Sequence, residues 1–264
     1  SPPKLAQTVT IGKQPSGLSI SPKGDMALVA NRGDGTISVL KIDGTTVTQT
    51  ATVPISPGVS HVEFTPDGKR ALAVKSPDNK VGLLDIDGDK VSYTKLDIPT
   101  YPFPYNVVVS PDSKLALTAD NGNSGSSDGN LDAVTVIDLE GAHPHAIAHV
   151  TVGDAPEGLA ISPKGNLAAA LNVDGSNFKG QWFYHPNGSV TVLSIHGKTV
   201  LPVGTVEVGA FPEAIAFTPD GRYVYVGNYT DQDFSILKVD GSTIINTGKR
   251  FKAGGHPASM RMGP

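Results

Sequence analysis

The chain has 264 residues, a formal net charge of −4, 30 glycines, 21 prolines and no cysteine. The missing cysteine excludes disulfides, thiolate metal sites and thiol catalysis, and the mixed, slightly acidic charge argues against a nucleic-acid footprint. No apolar run approaches the roughly 18 residues of a membrane-spanning helix, and plentiful β-branched runs without a glycine triplet period indicate a turn-rich β protein rather than collagen or disorder.

The chain opens Ser1-Pro2-Pro3, with neither Met nor a signal peptide. A mature or trimmed form is therefore expected, and with it a periplasmic or secreted protein. Lys4–Gly12 then reads as an outermost strand lacking its three inner partners. From residue 13 a phrase recurs: Ser21-Pro22-Lys23-Gly24, Thr65-Pro66-Asp67-Gly68, Ser110-Pro111-Asp112-Ser113, Ser162-Pro163-Lys164-Gly165 and Thr218-Pro219-Asp220-Gly221. Its starts lie 44, 45, 52 and 56 residues apart, the spacing of a repeat architecture. The units are approximately 13–56, 57–101, 102–153, 154–209 and 210–254.

The fifth unit gives the grammar. Ala214-Ile215-Ala216-Phe217 is a short apolar strand, and Thr218-Pro219-Asp220-Gly221 turns the chain, with Pro presetting φ and Gly tolerating positive φ. Tyr223-Val224-Tyr225-Val226 forms a second strand, and Phe234–Val239 alternates with period two as a third. Asp240-Gly241 then fits both central positions of a primed hairpin turn, leading to a fourth strand near Ser242–Ile245. Asp43-Gly44, Asp87-Gly88, Glu140-Gly141 and His196-Gly197 take that turn elsewhere. After the fifth unit, His256–Met262 reads as an innermost strand without outer partners. No segment sustains a 3.6-residue period.

Four antiparallel strands per unit, repeated radially, predict an all-β fold, a β-propeller of four-stranded blades. Five full blades are present, residues 4–12 and 255–264 supply the ends of a shared closing blade, and the complete ring is expected to have seven blades, or six, once missing N-terminal residues are counted. Residues 1–264 then form a single propeller domain, expected as a monomer.

The pattern of a Pro, an apolar strand, [Ser/Thr]-Pro-[Asp/Lys]-Gly and a Tyr/Val/Ala strand ending in Asn resembles the YVTN-repeat propellers. These overlap with the lactonase-like propellers related to 6-phosphogluconolactonase. Tyr225-Val226-Gly227-Asn228 and Leu28-Val29-Ala30-Asn31 are the nearest copies of the tetrad. The resemblance implies a propeller along essentially the whole chain and, for an enzyme of the lactonase-like group, a His/Glu/Arg set around the channel.

The phrase also acts as a ruler. The first turn is uniform, whereas the second runs from the short Arg32–Gly35 to Asn121–Asp132 in the third unit and Val173–Gly188 in the fourth. Loop expansion on a rigid scaffold is where function collects, which makes the second-turn face the expected binding face. Five residues before each phrase stand Ser16, Ser60, Tyr105, Glu157 and Glu213, followed by Gly17, His61, Asn106, Gly158 and Ala214. Ten residues after each phrase starts stand Asn31, Lys75, Asp120, Asn172 and Asn228, then Arg32, Ser76, Asn121, Val173 and Tyr229. Both sets are expected at the channel mouth.

Two chemistries fit. Glu157 and Glu213 as a carboxylate pair would give a general acid and base, with His61 beside them and Arg32 or Lys75 binding a substrate anion. Alternatively the polar residues hold loops and blades together, as Asn31, Asn172 and Asn228 suit. The insertion Phe178–His185, with Trp182, Tyr184 and His185, would stack a ring ligand or anchor a partner, or form the loop's own core. His143, His145 and His149 lack a clear fourth metal ligand, and Asp128-Gly129-Asn130-Leu131-Asp132 fails the calcium-loop pattern at Ala133 and Leu139. No cofactor, metal or nucleic acid is expected. The leading expectation is an exported module that binds a small molecule or protein partner at the expanded-loop face. Its rival is a lactonase-like enzyme, a sugar-lactone hydrolase or lactonising cycloisomerase.

Overall fold

The computed structural model describes residues 4–261. Five four-stranded antiparallel sheets follow one another, each a meander in which every strand bonds to the next. Blade 1 comprises β1 (Pro15–Ile20), β2 (Met26–Asn31), β3 (Thr36–Asp43) and β4 (Thr46–Pro54). Blade 2 comprises β5 (Val59–Phe64), β6 (Arg70–Lys75), β7 (Lys80–Asp87) and β8 (Lys90–Pro99). Blade 3 comprises β9 (Pro104–Val109), β10 (Leu115–Asp120), β11 (Ala133–Asp138) and β12 (His145–Thr151). Blade 4 comprises β13 (Pro156–Ile161), β14 (Leu167–Asn172), β15 (Ser189–His196) and β16 (Thr199–Glu207). Blade 5 comprises β17 (Pro212–Phe217), β18 (Tyr223–Asn228), β19 (Asp233–Asp240) and β20 (Thr243–Lys252). The one helical turn among the described residues is a 3-10 turn at Ser76–Asp78. Two compact units divide the chain: the first, to Ile98, holds blades 1 and 2, and the second, from Pro99, holds blades 3 to 5.

The recurring phrase works as its chemistry requires. In each copy the fourth residue donates its N–H to the first residue's carbonyl at 2.8 Å. That fourth residue has positive φ: 73° at Gly24, 69° at Gly68, 70° at Gly165, 69° at Gly221, and 60° at Ser113, where no glycine relieves it. The leading hydroxyl supplies a second clasp, accepting the N–H five residues on, as Ser110 does from Leu115 at 2.9 Å and Thr218 from Tyr223 at 3.1 Å.

The third turn differs from expectation. The last paired residues are Asp43 with Thr46, His196 with Thr199 and Asp240 with Thr243. The central residues are therefore Gly44-Thr45, Gly197-Lys198 and Gly241-Ser242, and only the glycines have positive φ, near 60°. Glycine at the first central position is the II′ arrangement, and the preceding Asp or His closes the ladder instead of turning. In blade 3 the last pair is Asp138 with His145, so Glu140-Gly141 lies in a longer loop.

The core lies between blades. Alternate residues of β14 serve two of them: Ala168 and Ala170 pack with Leu117, Val134 and Val136 of blade 3. Leu167, Ala169 and Leu171 pack with Ile215, Val224 and Leu237 of blade 5. A strand buried on both faces reads as a continuous apolar run, and the small alanines let the sheets approach. In the first unit Leu28, Val39, Val62 and Leu84 join blades 1 and 2 in the same way.

Neither end forms the strand expected. Lys4–Gly12 pairs with no strand among the described residues. Gln7 instead bonds both backbone groups of Val47 through its side-chain amide, each at 2.8 Å, while Val9 and Ile11 pack near Ala27, Val29 and Leu40. Residues 256–261 are likewise outside any sheet, and Met262 lies outside the described residues.

Candidate active site on the first strands

The five positions found five residues before the phrase share one backbone feature. In every blade the pairing of first with second strand slips by one residue, between Pro15 and Leu18, Val59 and His61, Pro104 and Asn106, Pro156 and Leu159, and Pro212 and Ala214. The extra residue falls at or beside Ser16, Ser60, Tyr105, Glu157 and Glu213. A bulge frees a residue from the alternation of its strand and re-aims its side chain. Just before four of these bulges stands a residue with positive φ preceding a proline: Gln14 at 50°, Phe103 at 54°, Ala155 at 50° and Phe211 at 52°. In blade 2, Gly58 at 79° precedes Val59. Non-glycine residues resist this conformation, and a proline normally keeps its predecessor extended. The first strand therefore begins with a kink imposed by tertiary structure. The x-Pro dipeptide two residues ahead of the bulge was the sequence signal for it, and sequence reasoning used only the proline.

In the second unit β13 packs between β9 and β17. A Cβ built on Gly158 would stand 2.6 Å from the carbonyl oxygen of Glu213, so glycine is what lets these backbones meet. Tyr105 is exposed, while Glu157 and Glu213 are half-buried on neighbouring strands. Burial raises the Glu157 carboxyl, and the charge of Glu213 raises it further, to about 8. Burial pushes Glu213 up to about 7. Neither carboxyl has a hydrogen-bond or ion-pair partner among the described residues, so nothing offsets the loss of water around the charged form. Asn106, one residue past Tyr105, accepts the N–H of Val107 at 2.8 Å.

In the first unit His61 is buried on β5 against β1, where a Cβ on Gly17 would fall 2.7 Å from the His61 Cα. Arg32 is exposed in the second turn. Ser60 is buried and pairs with the Ser76 hydroxyl at 2.8 Å.

The positions at the end of the second strand are buried and bonded within their blades. Lys75 is buried and reaches outward to Asp97 at 2.7 Å, Asp78 at 3.1 Å and the Tyr93 hydroxyl at 3.4 Å. Asp120 is fully buried and accepts from the N–H and hydroxyl of Thr135 at 3.1 and 2.6 Å; burial holds its carboxyl well above the usual range. Asn172 donates to Ser189 and Thr191, and Asn228 to Asp233 and Ser235 while accepting the Gly209 N–H at 2.8 Å. Regular strands send side chains off the sheet faces, so Asp120, Asn172 and Asn228 meet third-strand partners on the same face, while the longer Lys75 reaches the fourth strand. Tyr229 sits between Phe211 and His256, with ring centroids 5.5 and 4.5 Å away.

The long insertion divides its aromatics. Phe178 and Phe183 meet edge-on at 5.8 Å as a small core, and Tyr184 is half-buried. Trp182 meets Phe183 at 5.6 Å yet stays 81% exposed, with its outer ring edge over Gly129 of the blade 3 loop. His185 is exposed near Asp174. Other loop acids bind backbone: Asp174 accepts from the Asp154 N–H at 3.1 Å and Asp231 from Ala210 at 3.1 Å. Among the described residues no group of three or more His, Asp or Glu side chains is placed to hold a metal, and no helix is long and apolar enough to cross a membrane.

With this geometry in hand, the family can be read. The model of a lactonase family with a seven-bladed β-propeller matches residues 18–185, more than half the sequence. The chain belongs to that lactonase propeller family. No curated protein sequence matches it. Among solved structures, the periplasmic gluconolactonase of Pseudomonas aeruginosa is 18% identical with a TM-score of 0.73, covering 94% of this chain and 75% of its own. A Bacteroides fragilis protein provisionally named a 6-phosphogluconolactonase is 19% identical at TM-score 0.73, covering 89% and 70%. Hydrazine synthase of Kuenenia stuttgartiensis is also 19% identical at TM-score 0.73, covering 93% and 76%. These likenesses show a shared fold, one that hosts unrelated chemistries. Within the lactonase propeller family the bulge-borne glutamates are this chain's candidate reactive groups.

Proposed function

We propose that this propeller hydrolyses a sugar lactone, using Glu157 and Glu213 as an acid and base pair. One observation carries the reading: two carboxyls on adjacent first-strand bulges, both raised towards neutrality and neither satisfied by a partner among the described residues. Membership of a lactonase family supports it over non-enzymatic binding. At neutral pH the pair holds about one proton, and the more strongly raised Glu157 keeps it. Glu213, ionised, takes a proton from the attacking water as its oxygen adds to the lactone carbonyl. The acyl carbon–oxygen bond then breaks, and Glu157 delivers its proton to the departing ring oxygen. The product is an open hydroxy acid; its carboxylic proton restores Glu157, Glu213 releases the proton taken from water to solvent, and the resulting carboxylate is repelled by the site's own negative charge. Lys75 is committed to Asp97 and Asp78, which favours lactones without a phosphate.

A pH-indicator assay over a panel of aldonolactones and their phosphorylated forms tests this. Wild type turns over at least one neutral lactone, and Glu157→Gln or Glu213→Gln lowers kcat by about a hundredfold or more. Failure to hydrolyse any lactone, or undiminished turnover in both variants, removes the proposal.

Binding without catalysis has one specific observation in its favour, the exposed Trp182. If partner recovery is equal for wild type and Trp182→Ala, that reading loses its support. A periplasmic or secreted single-domain monomer is part of the same proposal, and fractionation of producing cells tests the location.

A further inference from the structure

In blades 4 and 5 the left-handed residue ahead of the bulge is held at both backbone groups. Its carbonyl is bound from its own blade: Ala155 accepts from the Val173 N–H at 3.2 Å and Phe211 from the Tyr229 N–H at 2.8 Å. The same bond joins Gln14 to Arg32 at 3.0 Å and Phe103 to Asn121 at 2.9 Å. Its N–H is bound from the preceding blade's second turn. Ala155 donates to Asp132 Oδ2 at 2.9 Å, and Asp132 closes the blade 3 insertion. Phe211 donates to Ser176 Oγ at 2.8 Å, and Ser176 opens the blade 4 insertion. In the first unit Gly58 donates to the Arg32 carbonyl at 3.2 Å, again from the preceding blade's second turn, there short. Where the held residue is glycine, a backbone carbonyl suffices. Where it is Ala155 or Phe211, which unlike glycine are strained at positive φ, a side chain supplies the acceptor.

We propose that Asp132 and Ser176 are positioning residues, setting the aim of Glu157 and Glu213 respectively by holding the left-handed residue two positions ahead of each. Both are buried, and both belong to loops that differ in length from blade to blade. Ser176 is itself fixed, since its hydroxyl donates to the Val173 carbonyl at 2.6 Å. The adjacent Gly175 N–H reaches Ser127 of the blade 3 insertion at 3.1 Å. The insertions thereby act on the carboxyls through backbone, each loop governing the acid of the following blade. A kinked lead-in that relaxed to extended backbone would return the bulged glutamate to strand alternation and to water.

The inference rests on the glutamate pair of the proposed function, but its primary test needs no substrate. Carbon-13 carboxyl titrations of Glu157 and Glu213 are followed by NMR in wild type, Asp132→Asn, Asp132→Ala, Ser176→Ala and Ser176→Thr. In Asp132→Ala the Glu157 midpoint falls towards the ordinary value of about 4.3, with a smaller change at Glu213. Ser176→Ala does the converse. Asp132→Asn and Ser176→Thr keep an acceptor oxygen and keep the wild-type midpoints. In a lactone assay the two alanine variants lower kcat about tenfold to a hundredfold with little change in KM. Unchanged midpoints in folded alanine variants, or Asn and Thr variants that shift as far as alanine, overturn the proposal. Should Asp132→Ala fail to fold, the milder Ser176→Ala decides through Glu213. A wild type without lactonase activity whose midpoints still respond would sink the hydrolase reading and leave the positioning role standing.

Discussion

A carboxyl taken out of water without a partner prefers its neutral form, and Glu157 and Glu213 both meet that condition to different degrees. Because Glu213 must be ionised to act as base, lactone turnover rises with pH through about 7. Because Glu157 must be protonated to act as acid, turnover falls again through about 8. The expected kcat/KM profile is thus a narrow bell whose limbs belong to the pair, and a flat profile from pH 6 to 9 would contradict it. The same shift affects stability. Folded Glu157 holds its proton up to about pH 8, whereas the unfolded chain releases it near 4.5. Between those values the folded state binds more protons and loses stability as pH rises. Glutamine cannot ionise, so Glu157→Gln raises Tm over wild type by about 3 °C or more at pH 8.5. At pH 4.5 it changes Tm little, and calorimetry at the two pH values checks the difference.

At the scale of single elements, the blade is a set of local turn solutions joined by ladders. Four copies of the phrase place glycine where φ is positive, and Ser113 does the same work at 60° without one. Ser113→Gly therefore stabilises the protein by about 1 kcal/mol, read as a higher urea midpoint at unchanged m-value. These turns were legible in sequence because Pro and Gly act through their own φ angles. The hairpin after the third strand was legible as a turn but misassigned by one residue, since the ladder register, rather than the dipeptide, decides which residues are central. The ion pairs of Lys75 were not legible for a similar reason. Its partners Asp97 and Tyr93 lie on β8, 22 and 18 positions away, and no local pattern joins them. The phrase located Glu157 and Glu213 by counting, yet the kinked lead-ins and the bulges that turn them out were invisible to counting.

Across whole blades, stability comes from faces that alternate along one strand, as in β14, and from first strands that touch through glycine. Gly158 has no room for a methyl group, because the atom in the way is the backbone oxygen of Glu213. Gly158→Ala consequently separates β13 from β17, costing about 2 kcal/mol or more and lowering the raised midpoints of both glutamates; denaturant melts and carboxyl titration read the two effects. The repeat phrase, the alternating apolar strands and the expanded second turns were properties of the sequence alone, because turn chemistry and two-residue alternation act within a few bonds. They determined an all-β propeller and the positions on which a site would have to be built. Which of those positions carry free carboxyls was decided only by the tertiary structure. Burial, strand register and the hold of one blade on the next depend on residues far apart in the chain, and they gave Lys75, Asp120, Asn172 and Asn228 bonded partners while leaving Glu157 and Glu213 unpaired among the described residues.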